Sequence, residues 1–237
     1  MLTALFSSHA ALAQAKSAPE QPLPRFGVQL TVGSLGAGIQ AATALAKHTD
    51  VRGGFNYFSY SLSGTRSSDN LTYSGTLRLA SGELLLDQHF GPFHLSGGAL
   101  IYNGFQASGN VNVPGGSSFT LNSNTYYSDA ADPVTGTGTI TVRKAAPEVL
   151  IGFGSLLPRS NRHFTFNSDI GVVFQGSPAV ALNLLGSTCT TATTGCSKIS
   201  TNTTAQSDIQ AEQTKLNSDL KPFQFYPVLR FGFGYKF

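Results

Sequence analysis

A chain of 237 residues with 11% charged residues, 11% aromatics, 26 glycines and no tryptophan lies far from soluble domains, where about 25% of residues are charged. Its net charge of +3 is spread over 15 scattered Lys and Arg, with no basic stripe and no aromatic–basic interleaving. That argues against nucleic acid as a partner. Mean hydropathy is near zero, and no apolar run of roughly eighteen residues follows the N-terminus, so no helix is available to cross a membrane.

In chain order, MLTALFSSHAALAQA (1–15) reads as the remnant of a secretory signal. A short apolar stretch leads to small residues, and cleavage is expected at Ala11-Leu12-Ala13 or Ala13-Gln14-Ala15. The basic n-region is missing, as if the start were placed too late. Residues 16–24 form a lead-in broken by Pro19, Pro22 and Pro24. From 25 to 237 the chain alternates apolar and polar residues in short runs, the pattern of strands with one face to lipid.

The first run, Arg25–Val32, has even positions apolar (Phe26, Val28, Leu30, Val32). From Leu35 the odd positions are apolar (Ile39, Ala41, Leu45). A two-residue hairpin at Gly33-Ser34 accounts for the flip; one long strand with a glycine bulge is the rival. Val51–Leu62 follows, then Leu71–Gln88. In the latter Leu71, Tyr73, Leu77 and Leu79 share an outward face until a phase slip near Gly82 hands over to Leu84 and Leu86. Phe93–Ala107, Ile140–Leu156, His163–Gln175 and Phe225–Phe237 complete the set. Connections alternate short (Lys47–Asp50, Phe90–Phe93, Pro158–Arg162) and long (Ser63–Asn70, Ser108–Thr139, Gly186–Pro222). The expected fold is therefore all-β: a closed antiparallel up-and-down transmembrane barrel of about eight strands. Closure follows from physics, since hydrocarbon offers no partner to a free strand edge.

Within the long connections, 110–139 is polar and rich in Gly, Ser and Thr, and is expected to be mobile or a short β extension. Ala205–Lys221 is the one helical stretch, with a stripe of Ala205, Ile209, Leu216 and Leu220 ended by Pro222. It is placed outside the cell at the barrel mouth; a periplasmic placement follows if the strand count is off by one. Cys189 and Cys196 are expected to close a disulfide in an exported protein.

The last strand ends FGFGYKF, with Phe231, Phe233, Tyr235 and Phe237 on one side. An alternating aromatic strand ending Tyr-x-Phe resembles the terminal signal of Gram-negative outer-membrane proteins. The mature part, about 24–237, resembles a small barrel of the OmpA-like or opacity-protein type. The resemblance implies an outer-membrane location, surroundings of outer-membrane lipid and lipopolysaccharide, and reading of the C-terminal strand by the barrel-insertion machinery. The peptidoglycan-binding domain found appended in some relatives has no counterpart in the sequence given.

Candidate sites are few. Inward positions include Arg78, Glu148, Asp169 and Arg230, with Gln40, Asn56, Asn167 and Gln175. The interior of an eight-strand barrel is just filled by side chains, and buried charges must pair. Arg78 and Arg230 are thus expected to form a network with Glu148 and Asp169; gating of a narrow pore is the sharper alternative. Inward glycines such as Gly98, Gly152, Gly171, Gly232 and Gly234 leave room for a small pocket. His48, His89, His94 and His163 sit at or beside presumed periplasmic turns. They lie at the wrong end for the Ser–His pair of enzymes resembling the lipid A deacylases. No metal-ligand spacing, catalytic constellation or cofactor motif stands out. Tyr57, Phe58, Tyr60, Tyr73, Tyr102 and Phe105 read as an interfacial girdle, or as a contact patch for sugar or lipid. The functional expectation is a non-enzymatic outer-membrane barrel that anchors or presents surface loops. The alternative is a narrow pore or a binder of small, possibly hydrophobic, molecules. A lipid-modifying enzyme comes third.

Overall fold

The computed structural model describes residues 26–66 and 71–237. The signal remnant and lead-in expected over 1–24 lie outside the described residues. Fifteen strands and a long helix occur in chain order: β1 (Gly27–Gly33), β2 (Gly36–Ala46), β3 (Thr49–Arg66), β4 (Leu71–Phe90), β5 (Phe93–Asn103), β6 (Gln106–Val113), β7 (Ser118–Leu121), β8 (Asn124–Ser128), β9 (Val134–Thr141), β10 (Ala146–Gly154), β11 (Phe164–Phe174), β12 (Ala179–Leu185), β13 (Ser187–Cys189), β14 (Ser197–Lys198), α1 (Thr203–Asp219) and β15 (Phe225–Lys236).

Eight strands pair antiparallel in a ring, β1–β2–β3–β4–β5–β10–β11–β15 and back to β1. Each ring strand alternates one side buried and one exposed. In β1, Gln29 and Thr31 are buried while Leu30 and Val32 are exposed; in β10, Glu148 and Leu150 are buried while Val149 and Ile151 are exposed. The exposed side carries the large apolar residues, among them Leu30, Ile39, Phe55, Leu84, Ile151, Ile170 and Phe233. Such a ring is inside out relative to a soluble protein.

The first turn corrects the sequence reading by one residue. Gly33 stands opposite Gly36, so the loop is Ser34-Leu35 and not Gly33-Ser34. Gly36 takes φ +105°, where a Cβ would also sit 2.4 Å from the Tyr57 carbonyl oxygen; this position, beside the turn, is what demands glycine. Leu35 consequently folds inward and is buried.

β4 corrects a second point. Its odd positions stay on the inner side from Leu79 through Ser81, Glu83, Leu85 and Asp87, so no phase slip occurs. The irregularity near Gly82 lies on the partner: Gly82 faces Tyr102 and Glu83 faces Leu100, leaving Ile101 bulged on β5. The alternation inverts in meaning along β4. Low on the strand the outer side is apolar; higher up it is polar (Thr72, Ser74, Thr76, Arg78). Arg78 is therefore exposed on the outer side and lies outside the interior network.

About eight strands are expected from the sequence and fifteen are found. The additional seven build a cap at the end of the ring that bears the Ser34-Leu35 turn. β6 pairs with the upper half of β4, β9 with β6, and β12 with β9. Together with β3 they form a five-stranded sheet. β7, β8, β13 and β14 form a second, small sheet. Val113, Leu121, Val134, Ile199 and Ile209 are buried between these sheets and α1, with Phe119, Leu182 and Leu184 packed on them. Residues 110–139 are thus a packed strand unit. Their alternation is hidden by glycine and threonine, but Val113 and Val134 still anchor it.

α1 begins at Asn202, whose side chain accepts a hydrogen bond from the Ala205 amide at 3.0 Å. Its stripe buries Ala205 and Ile209, with Asp208 beside them. The helix also covers the free edge of β12. The Val180 amide donates to Asn217 Oδ1 at 2.7 Å and the Leu182 amide to Gln213 Oε1 at 3.1 Å. These side chains supply what a further strand would have supplied. Cys189 and Cys196 are joined by a disulfide.

Candidate functional site

Inside the ring the side chains fall into an apolar floor, a polar middle and an apolar cluster toward the cap. Leu156 and Leu157, from the segment after β10, fold back under the lumen against Ala42 and Ala44. Leu35, Leu85, Leu100, Ala146, Leu150, Val173 and Val228 pack together toward the other end, with Tyr226 against them. The free space under Leu35, Leu100 and Tyr226 is about 10 Å³, room for a single water probe at most.

The polar middle is a charge network. Arg230, opposite Asp169 in register, donates from Nε to Asp169 Oδ2 at 3.0 Å. Its Nη1 reaches both Glu83 oxygens at 2.6 and 2.7 Å. Arg52 bridges Asp169 at 2.8 Å and Asp87 at 2.9 Å. His94 sits with Nε2 2.7 Å from Asp169 Oδ1 and Nδ1 3.0 Å from the Gly154 carbonyl. Gln40 and Asn56 donate to Glu83. Gln29 donates to Gln40. These groups are nearly all excluded from solvent; Arg52 is 1% exposed and Asp169 2%.

Of the four network residues expected from sequence, Asp169 and Arg230 are brought together. Glu148 is fully buried in the same lumen, but neither of its carboxyl oxygens accepts a hydrogen bond from the described residues. It stands opposite Gly98 and Val173, which have nothing to donate to it, while Arg230 turns to Glu83. Arg78 is replaced by Arg52. Arg52, Glu83, Asp87 and His94 are the members that sequence reasoning missed. Their signal was present as phase: each lies on the inward parity of its strand. Gln40, Asn56, Asn167 and Gln175 are buried as expected.

The inward glycines are occupied and leave no pocket among themselves. A Cβ on Gly152 would lie 2.2 Å from the His94 ring, and one on Gly232 would lie 2.1 Å from Asn167 Oδ1. Both make room for polar side chains. His89 pairs with Asp50 at 2.8 Å. His48 takes a hydrogen bond from Arg159, and His163 lies 3.0 Å from the Lys236 carbonyl. His94 is the one histidine that moves from an expected turn position into the lumen.

In the cap, Asp208 of α1 accepts from Tyr126 Oη at 2.5 Å, Asn124 Nδ2 at 2.7 Å and Asn122 Nδ2 at 3.2 Å. These donors favour the ionised form and hold its carboxyl below the usual carboxylate range. The Tyr126 phenol is pushed up to about 12, by burial first and then by the Asp208 carboxylate.

This geometry defines an antiparallel β-barrel with an apolar exterior, a side-chain-filled polar lumen and a folded cap. Solved structures of similar fold include two from one organism. CarO of Acinetobacter baumannii is 21% identical with a TM-score of 0.52, the match covering 89% of this chain and 97% of that one. CarO2 of the same organism is 18% identical with a TM-score of 0.54, over 92% of this chain and 100% of that one. At such identities the likeness speaks for the fold. No protein-family model and no curated protein sequence matches the chain.

Proposed function

We propose that the chain is an outer-membrane β-barrel protein of a Gram-negative bacterium. In this reading the eight-strand ring is a closed transmembrane barrel, the lumen is sealed, and the cap is presented on the cell surface. The observation that carries it is the inversion of the ring: large apolar residues such as Leu30, Ile151, Ile170 and Phe233 are exposed around the wall, while arginines and carboxylates are buried inside. Only hydrocarbon outside rewards that arrangement. The fold shared with CarO supports it, and so does the aromatic C-terminal strand, which resembles the terminal signal of such proteins. The role is structural and surface-presenting, not enzymatic. Leu156 and Leu157 below and the Leu35–Leu100 cluster above favour a barrel without a conduit. Planar-bilayer recording tests this: the expected trace shows no steady channel, and reproducible unitary steps would refute the sealed lumen.

A second reading, a binder of small apolar molecules, rests on an open pocket of about 270 Å³ between the barrel rim and the end of α1. Phe105, Ile140, Leu220, Phe223 and Phe225 line it. Saturable uptake of an apolar fluorescent probe, lost in Phe223→Glu, would support it; unchanged uptake in that variant would remove it.

A further inference from the structure

Ser63, Ser74, Asn110, Thr137 and Asn183 form one row across the five-stranded cap sheet, each directly opposite the next. Moving along β3, β4, β6 and β9 by two residues repeats the chemistry, whereas β12 breaks it with Ala179, Ala181 and Leu185. On β3, β6 and β9 every residue of this face, from 59 to 65, 106 to 112 and 135 to 141, is Ser, Thr, Asn or Gln. β4 departs from it only at Arg78, in the row nearest the barrel. Side chains bridge neighbouring strands, as from Ser61 to Thr76 at 3.1 Å and from Asn110 to Ser74 at 3.4 Å. The opposite face is covered by α1 and the small sheet over β6, β9 and β12, and is open on upper β3 and β4, where Tyr60, Leu62 and Tyr73 are exposed.

Three features set this face apart from an ordinary solvated one. It is almost uncharged, where exposed surfaces commonly carry about 25–35% charged residues. It is regular, with donors and acceptors spaced about 4.8 Å between strands and about 7 Å along them. And it continues the outer wall of the barrel: the outward side of β3 runs Val51, Gly53, Phe55, Tyr57 and then, in one step, Ser59. On the transmembrane reading above, that step is the edge of the hydrocarbon. The hydroxyl rows then stand beside the headgroups of the outer leaflet. Arg78, exposed and in no salt bridge among the described residues, sits at the height of the membrane-proximal headgroup.

We propose that this face binds the sugar headgroup of the anionic glycolipid surrounding the barrel. Arg78 meets the phosphate-bearing end next to the acyl chains. The hydroxyl and amide rows meet the neutral sugars farther out, and Tyr57, half-exposed at the foot of the face, packs on the junction. A cation low and neutral hydrogen-bonding groups above match an amphiphile whose charge lies at its base. The proposal rests on the proposed transmembrane placement.

The test uses the full chain folded in detergent, with bound lipid quantified by native mass spectrometry. Three probes are compared: lipopolysaccharide with its core oligosaccharide, lipid A without core sugars, and phosphatidylglycerol. The expected order of binding is lipopolysaccharide, then lipid A, then phosphatidylglycerol. Arg78→Glu weakens the first two by about tenfold or more, the scale of one lost charge-assisted contact. Thr137→Glu, in the middle of the rows, weakens lipopolysaccharide by a similar factor and leaves lipid A unchanged. Both positions are on the exposed face, and heat-modifiable gel mobility checks that both variants fold. Parent-like binding by folded variants, or equal binding of all three probes, would overturn the inference alone. Failure of the parent to form a heat-modifiable barrel would overturn the transmembrane reading and the inference with it.

Discussion

Replacing Arg230 by methionine keeps an unbranched chain of similar length and removes the charge that holds the lumen together. Among the described residues Arg230 is the only cation within bonding distance of Glu83, which it grips through both carboxyl oxygens at 2.6 and 2.7 Å. Asp169 loses one partner at 3.0 Å but keeps Arg52 and His94. The cost therefore centres on Glu83, left buried with only Gln40 and Asn56 as donors. Stranding one charge of a buried pair costs about 3–5 kcal/mol. For a chain of this size that is a fall in Tm on the order of 10 °C. The assay is the temperature at which the compact electrophoretic form converts to the unfolded one in matched detergent. Arg230→Met with Glu83→Gln should recover a substantial part of the loss, because the stranded charge is then gone; couplings between touching residues run to about 3 kcal/mol. An Arg230→Met protein within about 0.5 kcal/mol of the parent, the range of an ordinary surface substitution, would refute the reasoning. So would a double variant no better than the single one.

Three further outcomes are expected. Asp208 has a lowered folded-state value, so its contribution is present above the unfolded carboxylate value of about 3.9 and lost as pH falls through the lower folded one. Amide exchange in α1 should accelerate below about pH 4 in the parent, while Asp208→Ala should show the faster exchange already at neutral pH. Asn217→Leu and Gln213→Leu each unpair a β12 edge amide, at about 1 kcal/mol apiece; exchange at Val180 and Leu182 should rise while the ring strands stay protected. Cys189→Ser with Cys196→Ser opens a short loop worth roughly 2.5 kcal/mol in the chain-entropy model, measurable as an earlier unfolding of the cap and no change in the barrel transition.

Much of the wall is legible in the sequence because one rule, apolar outward every second residue, holds around the ring. It yields Leu30, Ile39, Ile151, Phe166 and Phe233 on the correct side. The rule fails where β4 leaves the ring and pairs with β6. On β4 above Gly82 the outer side is polar instead, so Leu79 is buried on the inner side and Arg78 is exposed on the outer side without any slip of phase. Reading a single rule along the whole strand put Arg78 in the network and invented the slip. Arg52 escaped notice because its neighbours Gly53 and Gly54 give no contrast between faces. Glu83 and Asp87 flank Leu84-Leu85-Leu86, a run that looks apolar on both sides although only Leu85 is buried. The strands β6 and β9 were hidden for a related reason: GNVNV and TGTGT alternate between polar residues and glycine or valine, a weak signal beside the aromatic alternation of β15. The partners inside the lumen depend on cross-ring distances, which no single strand encodes.

The central claim is that this sheet closes upon itself with hydrocarbon outside and charge within. Heat-modifiable electrophoretic mobility of the detergent-extracted protein tests it most directly. A compact form that migrates apart from the boiled chain, and that is recovered only with detergent or lipid, is the predicted result. A folded, monodisperse protein in plain buffer, with the same mobility before and after boiling, would contradict it.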